Sequence, residues 1–254
     1  MRRDHMPDIT ILHTNDFHGK MTPLAQRIIA REKAASPNPV LLDAGDAVSS
    51  GNIYYRPGGE PILARMTEVG YDAMAMGNRE FHFLAAGLRS KVRLAHFPVL
   101  SANLRDKAGE IGPTVSPYVI MERDGVKIAV FGLCVPMITK QMRLASSVSP
   151  YWFEDPIETA ASLVPQLRGT ADIVVALTHI GIKRDLELAD SVEGIDIIVG
   201  GHSHSVLPEP LRIGGATVAQ TGWWGHCLGR LNLSFSSSGV SVTGSLIDLR
   251  AEPG

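Results

Sequence analysis

Residues 8–19, DITILHTNDFHG, join an apolar run to a short polar cluster. The first part is typical of a buried β-strand, and Asp16 and His18 follow directly after it. In open α/β folds, ligand sites lie beyond the carboxyl ends of the strands. The stretch therefore predicts a strand that carries two metal-competent side chains to a site.

The same arrangement recurs along the chain. Strand-like runs alternate with helix-like segments such as residues 23–35 and 156–169, and a hairpin is predicted at Asp124-Gly125. The tail from residue 216 onward is β-rich. This alternation predicts an α/β layered fold whose sheets mix parallel and antiparallel strands. We expect a single domain over residues 1–254, with residues 1–7 disordered.

The composition limits the class of partner. The chain has 254 residues, of which 44% are hydrophobic and 20% charged, which suits a sizeable buried core. A formal net charge of -2 gives no reason to expect a nucleic-acid partner. The N-terminus lacks the apolar segment of a signal peptide, and no run approaches the roughly 18 apolar residues of a membrane span. We therefore expect a cytoplasmic protein without membrane contact, and an oligomer remains open.

Five predicted strand ends carry side chains that can bind a metal. They are Asp16 and His18, Asp46, Asn78, His179, and His202 with His204. The two pairs are spaced two apart, so in an extended segment both members would point the same way. Each residue alone has an ordinary structural explanation, such as a turn former, a helix cap or a hydrogen-bonded histidine. Their joint occurrence at five successive strand ends favours a metal site.

The chemical types of these seven side chains indicate which ions they would hold. Carboxylate, imidazole and amide oxygen ligands suit Mn, Fe, Zn or similar divalent ions. Seven ligands are too many for one tetrahedral ion, but they can hold two ions if one carboxylate bridges them. Two metals about 3.5–4 Å apart could hold a hydroxide for in-line attack on phosphorus.

The motifs ILHTNDFHG, LLDAGD, GNREFH, LTHIG and GGHSH together resemble those of the calcineurin-like metallophosphoesterases. The resemblance covers nearly the whole chain and is strongest to the N-terminal catalytic domain of the 5'-nucleotidase and 2',3'-cyclic phosphodiesterase family. It implies a four-layer α/β/β/α sandwich with a dinuclear metal centre at one edge.

The resemblance also implies roles for individual residues. Asp16, His18, Asp46 and His204 would hold the first metal, while Asn78, His179 and His202 would complete the second, with Asp46 bridging. The implied activity is that of a metal-dependent phosphoric ester hydrolase. Its substrate would be a small phosphorylated compound, a monoester or a diester, with nucleotides among the candidates.

The sequence departs from the family pattern after the metal-binding asparagine, where the family has His, Glu, Phe and Asp. Here Arg79 and His82 stand in place of the catalytic histidine and its aspartate. In one interpretation, Arg79 holds the phosphoryl oxygens with Asn78 while His82 protonates the leaving group. In a second, the substrates are diesters or have good leaving groups and need little acid help. In a third, the protein is a metal-binding regulatory or binding module with little or no turnover.

The second departure concerns substrate recognition. The nucleotidases usually carry a C-terminal domain with nucleobase-stacking aromatics, and this domain is expected to be absent because the sequence ends at Gly254. Local loops would then contact the substrate. Tyr54, Tyr55 and Arg56 are the predicted contacts, since they can stack and pair with phosphate. Trp223 and Trp224 are further candidates that could equally lie in the core or an interface.

Overall fold

Two six-stranded sheets lie face to face and enclose a core of apolar side chains that both sheets contribute. The structure is a computed structural model that describes residues 8–111, 114–142, 149–236 and 239–251. The expected disorder of residues 1–7 lies outside these ranges. In chain order the strands are β1 Asp8–Thr14, β2 Val40–Asp43, β3 Ala73–Ala75, β4 Val99–Leu100, β5 Leu104–Asp106, β6 Tyr118–Arg123, β7 Val126–Cys134, β8 Tyr151–Phe153, β9 Ile173–His179, β10 Ile197–Gly200, β11 Leu211–Ile213, β12 Ala216–Ala219, β13 Cys227–Ser236 and β14 Gly239–Asp248.

Both sheets have a parallel centre with antiparallel edges. The first has the order β14-β13-β1-β2-β3-β4, in which β1 to β4 run parallel and β13 and β14 run antiparallel. The second has the order β11-β12-β10-β9-β7-β6, in which β12, β10, β9 and β7 are parallel. The antiparallel β6 and β11 close its two edges. The predicted mixture of strand directions is therefore confirmed.

Helices cover the outer face of each sheet. They are α1 Pro23–Ala35, α2 Pro61–Val69, α3 Ala85–Val92, α4 Pro156–Arg168 and α5 Ile182–Ser191. Apolar side chains of α1 and α2 pack on the first sheet, and those of α4 and α5 pack on the second. The order of layers is thus α/β/β/α, as the resemblance implied. Among the described residues, no helix combines the length and the apolar character needed to cross a bilayer.

Local predictions agree with the structure in most places. The hairpin at Asp124-Gly125 joins β6 to β7. The helix predicted for residues 156–169 forms over Pro156–Arg168, with Pro165 inside it. Residues 97–104, FPVLSANL, look like one strand in the sequence but are divided into β4 and the start of β5, and β5 pairs with β8 in a separate two-stranded sheet.

Candidate metal centre

The candidate ligands follow parallel strands whose carboxyl ends meet at one edge of the sandwich. β1, β2 and β3 of the first sheet and β9 and β10 of the second supply them. The extended geometry expected for the paired ligands is wrong, because these residues lie beyond the strands in the left-handed region. Their φ angles are 53° for Asp16, 47° for His18, 55° for Asp46, 75° for His202 and 56° for His204. Non-glycine residues rarely adopt this conformation, and such outliers concentrate at functional sites.

The first group of ligands converges on one carboxylate oxygen. The Asp16 Oδ1 atom lies 3.5 Å from the Nε2 of His18 and 3.2 Å from the Nε2 of His204. The two imidazole nitrogens are 3.1 Å apart. Asp46 was also expected in this set. It joins Asp16 in a second grouping of nearby ligand atoms with His179.

The second group of ligands converges on the amide of Asn78. Its Oδ1 lies 3.2 Å from the Nε2 of His179 and 3.0 Å from the Nδ1 of His202. The same Nε2 of His179 lies 3.4 Å from the Oδ1 of Asp46. Asp46 therefore lies beside His179 of the second group and Asp16 of the first, where the resemblance implied a bridging carboxylate.

The hydrogen bonding of His179 indicates that the cluster fits a cation. Its Nδ1 lies 2.7 Å from the backbone carbonyl of Ala44, which can only accept, so Nδ1 carries the proton and Nε2 presents a lone pair. This lone pair faces the oxygen atoms of Asp46 and Asn78, and three acceptors around one point need a cation between them. Burial acts to lower the pKa of His179, but the neighbouring Asp46 carboxylate raises it to about 10, so positive charge is favoured at this place.

One further atom supports the fit of a metal to the first group. The Oδ1 of Asp16 is buried and has no hydrogen-bond partner among the described residues. Buried polar atoms in this condition are uncommon and are costly in free energy. An ion coordinated by the Asp16 Oδ1 would satisfy that atom. The donor set of carboxylates, imidazoles and an amide oxygen fits divalent ions such as Mn, Fe or Zn.

Glycine is required where the loops that carry the ligands approach one another. A Cβ atom on Gly201 would lie 2.7 Å from the Ala44 carbonyl oxygen and 2.9 Å from the Nδ1 of His179. At Gly77 it would lie 2.3 Å from both the backbone nitrogen and the Oδ1 of Asp46. Any side chain at either position would displace a ligand. The glycines in GGHSH and in the GNREFH motif therefore permit the ligand geometry.

Glu80 is a supporting residue that the sequence analysis did not identify. Its side chain is fully buried. One oxygen accepts the N–H groups of Asp46 at 2.9 Å and of Gly77 at 2.8 Å, and the other accepts from Val48 at 3.0 Å. A carboxylate that ties the loop after β2 to the loop after β3 fixes both sets of ligands. The sequence signal for Glu80 is its position in GNREFH, between Arg79 and His82.

Arg79 lies at the centre, as predicted. Its backbone N–H donates to the Oδ1 of Asp46 at 2.7 Å, and its Nε lies 3.5 Å from the other carboxylate oxygen. Its Nη1 donates to the backbone carbonyl of Ser49, and the side chain is 38% exposed. The guanidinium is thus accessible to an anion that approaches the ligands.

His82 is packed among residues outside the candidate ligand set. Its ring is buried, its Nδ1 accepts the backbone N–H of Leu84 at 2.9 Å, and its Nε2 has no partner in the described structure. The edge of Tyr55 meets the ring at a centroid distance of 5.1 Å, and a Cβ on Gly87 would overlap it. None of these neighbours is a candidate metal ligand.

The predicted substrate loop is adjacent to the centre, but its three residues differ in availability. Asn52, just before it, donates from Nδ2 to the backbone carbonyl of Asn78 at 2.6 Å. Tyr54 is 58% exposed. Tyr55 instead packs on His82, and the Nε of Arg56 lies 3.9 Å from Glu60.

The tryptophan pair adjoins the other side of the centre. Trp223 stacks on the ring of His204 with centroids 5.7 Å apart and an interplanar angle of 27°. The backbone N–H of Trp224 donates to the carbonyl of Asp16 at 2.7 Å, and its side chain is 49% exposed. The core location considered for these residues therefore does not hold for Trp224.

Curated relatives of this chain include proteins named as a nucleotide phosphoesterase and as a 5'-nucleotidase. The chain is 33% identical to the trifunctional nucleotide phosphoesterase protein YfkN of Bacillus subtilis over 95% of this chain and 19% of that protein. It is 33% identical to the protein UshA of Yersinia enterocolitica over 94% of this chain and 51% of that protein. A snake venom 5'-nucleotidase of Naja atra is 31% identical, over 94% and 52%. The chain thus spans about half the length of these relatives or less.

Two solved structures of other proteins contain the same fold. The NAD nucleotidase of Haemophilus influenzae superposes with a TM-score of 0.79 and 26% identity, over 94% of this chain and 55% of that chain. The YfkN phosphoesterase of Bacillus subtilis superposes with a TM-score of 0.78 over 96% of this chain and 92% of that chain, at 23% identity. Residues 9–206 match the family described as calcineurin-like phosphoesterase. The chain belongs to the calcineurin-like phosphoesterase family.

Proposed function

We propose that the protein is a two-metal phosphoesterase that hydrolyses a small phosphorylated compound. The observation that carries this proposal is the convergence of seven ligand side chains in two groups that meet at Asp46. Asp16, His18 and His204 would hold one ion with Asp46, and Asn78, His179 and His202 would hold the other with the same carboxylate. When bound, such ions activate water for attack on phosphorus and neutralise phosphate charge.

Arg79 and Asn78 would orient the phosphoryl group. The guanidinium of Arg79 is a fixed fork of donors that matches phosphate oxygens, and it is accessible beside Asp46. The Asn78 amide nitrogen would donate to a phosphoryl oxygen while its Oδ1 faces the histidines. In this assignment the chain binds the transferred group through two neighbouring residues of one loop.

The interpretations of the GNREFH motif differ in whether a side chain protonates the leaving group as it departs. The contacts of His82 with Leu84, Tyr55 and Gly87 favour substrates that need little acid help, either diesters or esters with good leaving groups. The alternative is that His82 donates the proton from Nε2, which is the nitrogen left unpartnered. Arginine cannot take this role, because it stays protonated near neutral pH.

Nucleotides are the first substrate class to test. Support comes from the relatives, since YfkN is called a nucleotide phosphoesterase and the venom proteins are called 5'-nucleotidases. The chain covers only part of those proteins, so the substrate is assigned here as a proposal for this domain.

The test uses metal-stripped protein reloaded with Mn, Fe or Zn and supplied with a chromogenic phosphomonoester and the matching diester. We expect hydrolysis of at least one ester, and Asp46→Ala should abolish it. Arg212→Gln is a matched control, since Arg212 belongs to the edge strand β11. Failure of every metal to support hydrolysis of either ester would favour a binding or regulatory module without turnover.

A further inference from the structure

A fully buried lysine joins the predicted substrate loop to the metal centre. Lys91 in α3 is 0% exposed, and its Nζ donates to the backbone carbonyls of Ser50 at 3.2 Å, Gly51 at 2.7 Å, and Arg79. An ammonium group has three protons, so three carbonyls satisfy it completely. Burying a charged side chain in this way is costly unless every donor is used. Lys91 therefore fixes the start of the loop against the residue that adjoins Asp46.

Other contacts anchor the rest of loop 50–57, which contains the predicted substrate contacts Tyr54, Tyr55 and Arg56. The hydroxyl of Ser90, next to Lys91 in α3, donates to the carbonyl of Arg56. Asn52 donates to the carbonyl of Asn78. The ring of Tyr55 meets His82, which in turn occupies the space that Gly87 leaves open. Both ends of the loop are thus anchored to α3 or to the loop after β3.

Between these anchors two large apolar side chains face solvent. Ile53 is 84% exposed and Tyr54 is 58% exposed. We call these two residues the tip. Adjacent exposed apolar side chains on an anchored loop usually mark a contact surface, since loops on rigid scaffolds carry recognition. The tip follows directly after Asn52, which contacts the loop that carries Asn78.

We propose that the tip is a specificity subsite for an apolar or aromatic leaving group, and that Lys91 is the positioning residue that holds it beside Arg79. This inference rests on the proposed function and deepens it by naming the substrate class. Phosphoesters with a planar, weakly polar leaving group would place the phosphate against Arg79 and the leaving group against Ile53 and Tyr54. Tyr55 and Arg56 would stabilise the loop and not contact the leaving group. Tyr55 already packs on His82, and Arg56 already pairs with Glu60.

The experiment measures binding, so that it does not depend on turnover. The dissociation constants of phenylphosphonate and methylphosphonate are determined by calorimetry with the metal-loaded protein. The two ligands share the phosphoryl group and differ in the apolar part. Wild-type protein should bind phenylphosphonate more tightly, and the double change Ile53→Ser with Tyr54→Ser should reduce that preference by about tenfold while methylphosphonate binding stays unchanged.

The role of Lys91 is tested with Lys91→Met. The phenyl preference should fall as in the tip variant, hydrogen exchange of residues 50–57 should accelerate, and the bound metal should be unchanged. Lys33→Met is the matched control, because Lys33 also donates to a backbone carbonyl, that of Gly70, remote from this loop. If Lys91→Met fails to fold, Ser90→Ala removes one anchor and should lower the preference in the same direction.

The outcomes separate the two proposals. Wild-type protein that binds neither phosphonate overturns the proposed function and the subsite together. Binding of both with an unchanged preference in the tip variant overturns the subsite alone. A tip variant that alters only the oligomeric state would mean that Ile53 and Tyr54 form an interface between copies, which also overturns the subsite.

Discussion

The backbone N–H of Arg79 donates to the Oδ1 of Asp46, and the Arg79 Nε lies 3.5 Å from the Asp46 Oδ2. The residue that replaces the family's histidine thus contacts the predicted bridging ligand through both its backbone and its side chain. The backbone contact persists whatever the side chain is, so the loop geometry does not depend on the guanidinium. The guanidinium itself remains available for the phosphoryl group.

Replacing Arg79 by Gln should lower kcat/KM for phosphoesters by roughly 10- to 100-fold, because hydrogen bonds to a charged group contribute about 1.5–3 kcal/mol. The bound metal should not change, since the side chain is not a ligand. Steady-state kinetics with metal analysis checks both statements, and Arg212→Gln should behave as wild type. A loss of metal in Arg79→Gln would contradict the assigned role.

Removal of the Trp223 ring should weaken metal binding. The indole stacks on His204 and restrains its orientation, and an aromatic pair of this kind contributes about 0.5–1.5 kcal/mol. Trp223→Ala should therefore lower the affinity for the more weakly held ion by roughly threefold to tenfold in a competitive chelator titration. Trp223→Phe should recover most of it, and Trp152→Ala in β8 should have no effect. Equal affinities in all three variants would remove the positioning role.

His82→Phe distinguishes the packing role from the acid role. A phenyl ring keeps the contact with Tyr55 but cannot donate a proton, so the account expects activity within about threefold of wild type on esters with good and poor leaving groups. The measurement is kcat/KM across a series of leaving-group acidities. Loss of a general acid would instead cost roughly 10²–10⁴-fold on poor leaving groups, and that result would restore His82 as the acid.

The stability of the fold should fall in mild acid because of His13. Burial in β1 lowers the pKa of His13 to about 4, whereas in the unfolded chain it is near 6.5. Between these values the unfolded state binds the additional proton, so unfolding becomes easier as pH falls, and the total effect is about 3 kcal/mol. His13→Leu should flatten the urea-unfolding profile between pH 6.5 and 4, whereas His96→Leu, at an exposed site, should not. Parallel profiles for wild type and His13→Leu would refute this assignment.

Much of the fold was predictable because each strand and helix has a local signal. Periodicity located the helix at residues 23–35, and Asp-Gly located the β6–β7 hairpin. The convergence of the seven candidate ligands was predictable because these residues follow apolar strands at their carboxyl ends. The positive φ angles of Asp16 and His202 were not predictable from spacing, because the hydrogen bond from the His202 N–H to the Asp16 Oδ2 joins loops of different sheets. That contact gives the ligands directions that an extended segment would not.

The supporting residues were harder to predict because their partners are distant in sequence. Lys91 contacts Gly51 across 40 positions, and Glu80 contacts Asp46 across 34. A lysine in a helix ordinarily indicates an exposed face, and only the fold shows that three carbonyls surround this one. The expected cytoplasmic location remains a prediction.

The most direct test of the dinuclear centre is the number of ions that the protein binds. Metal-free protein is equilibrated with excess Mn²⁺, and bound metal is measured per chain for wild type, Asp46→Ala and the control Arg212→Gln. We predict two ions for wild type and for the control, and fewer than two for Asp46→Ala, together with loss of phosphoester hydrolysis. Saturation of wild-type protein at one ion or none, or full metal content in active Asp46→Ala, would contradict the dinuclear centre.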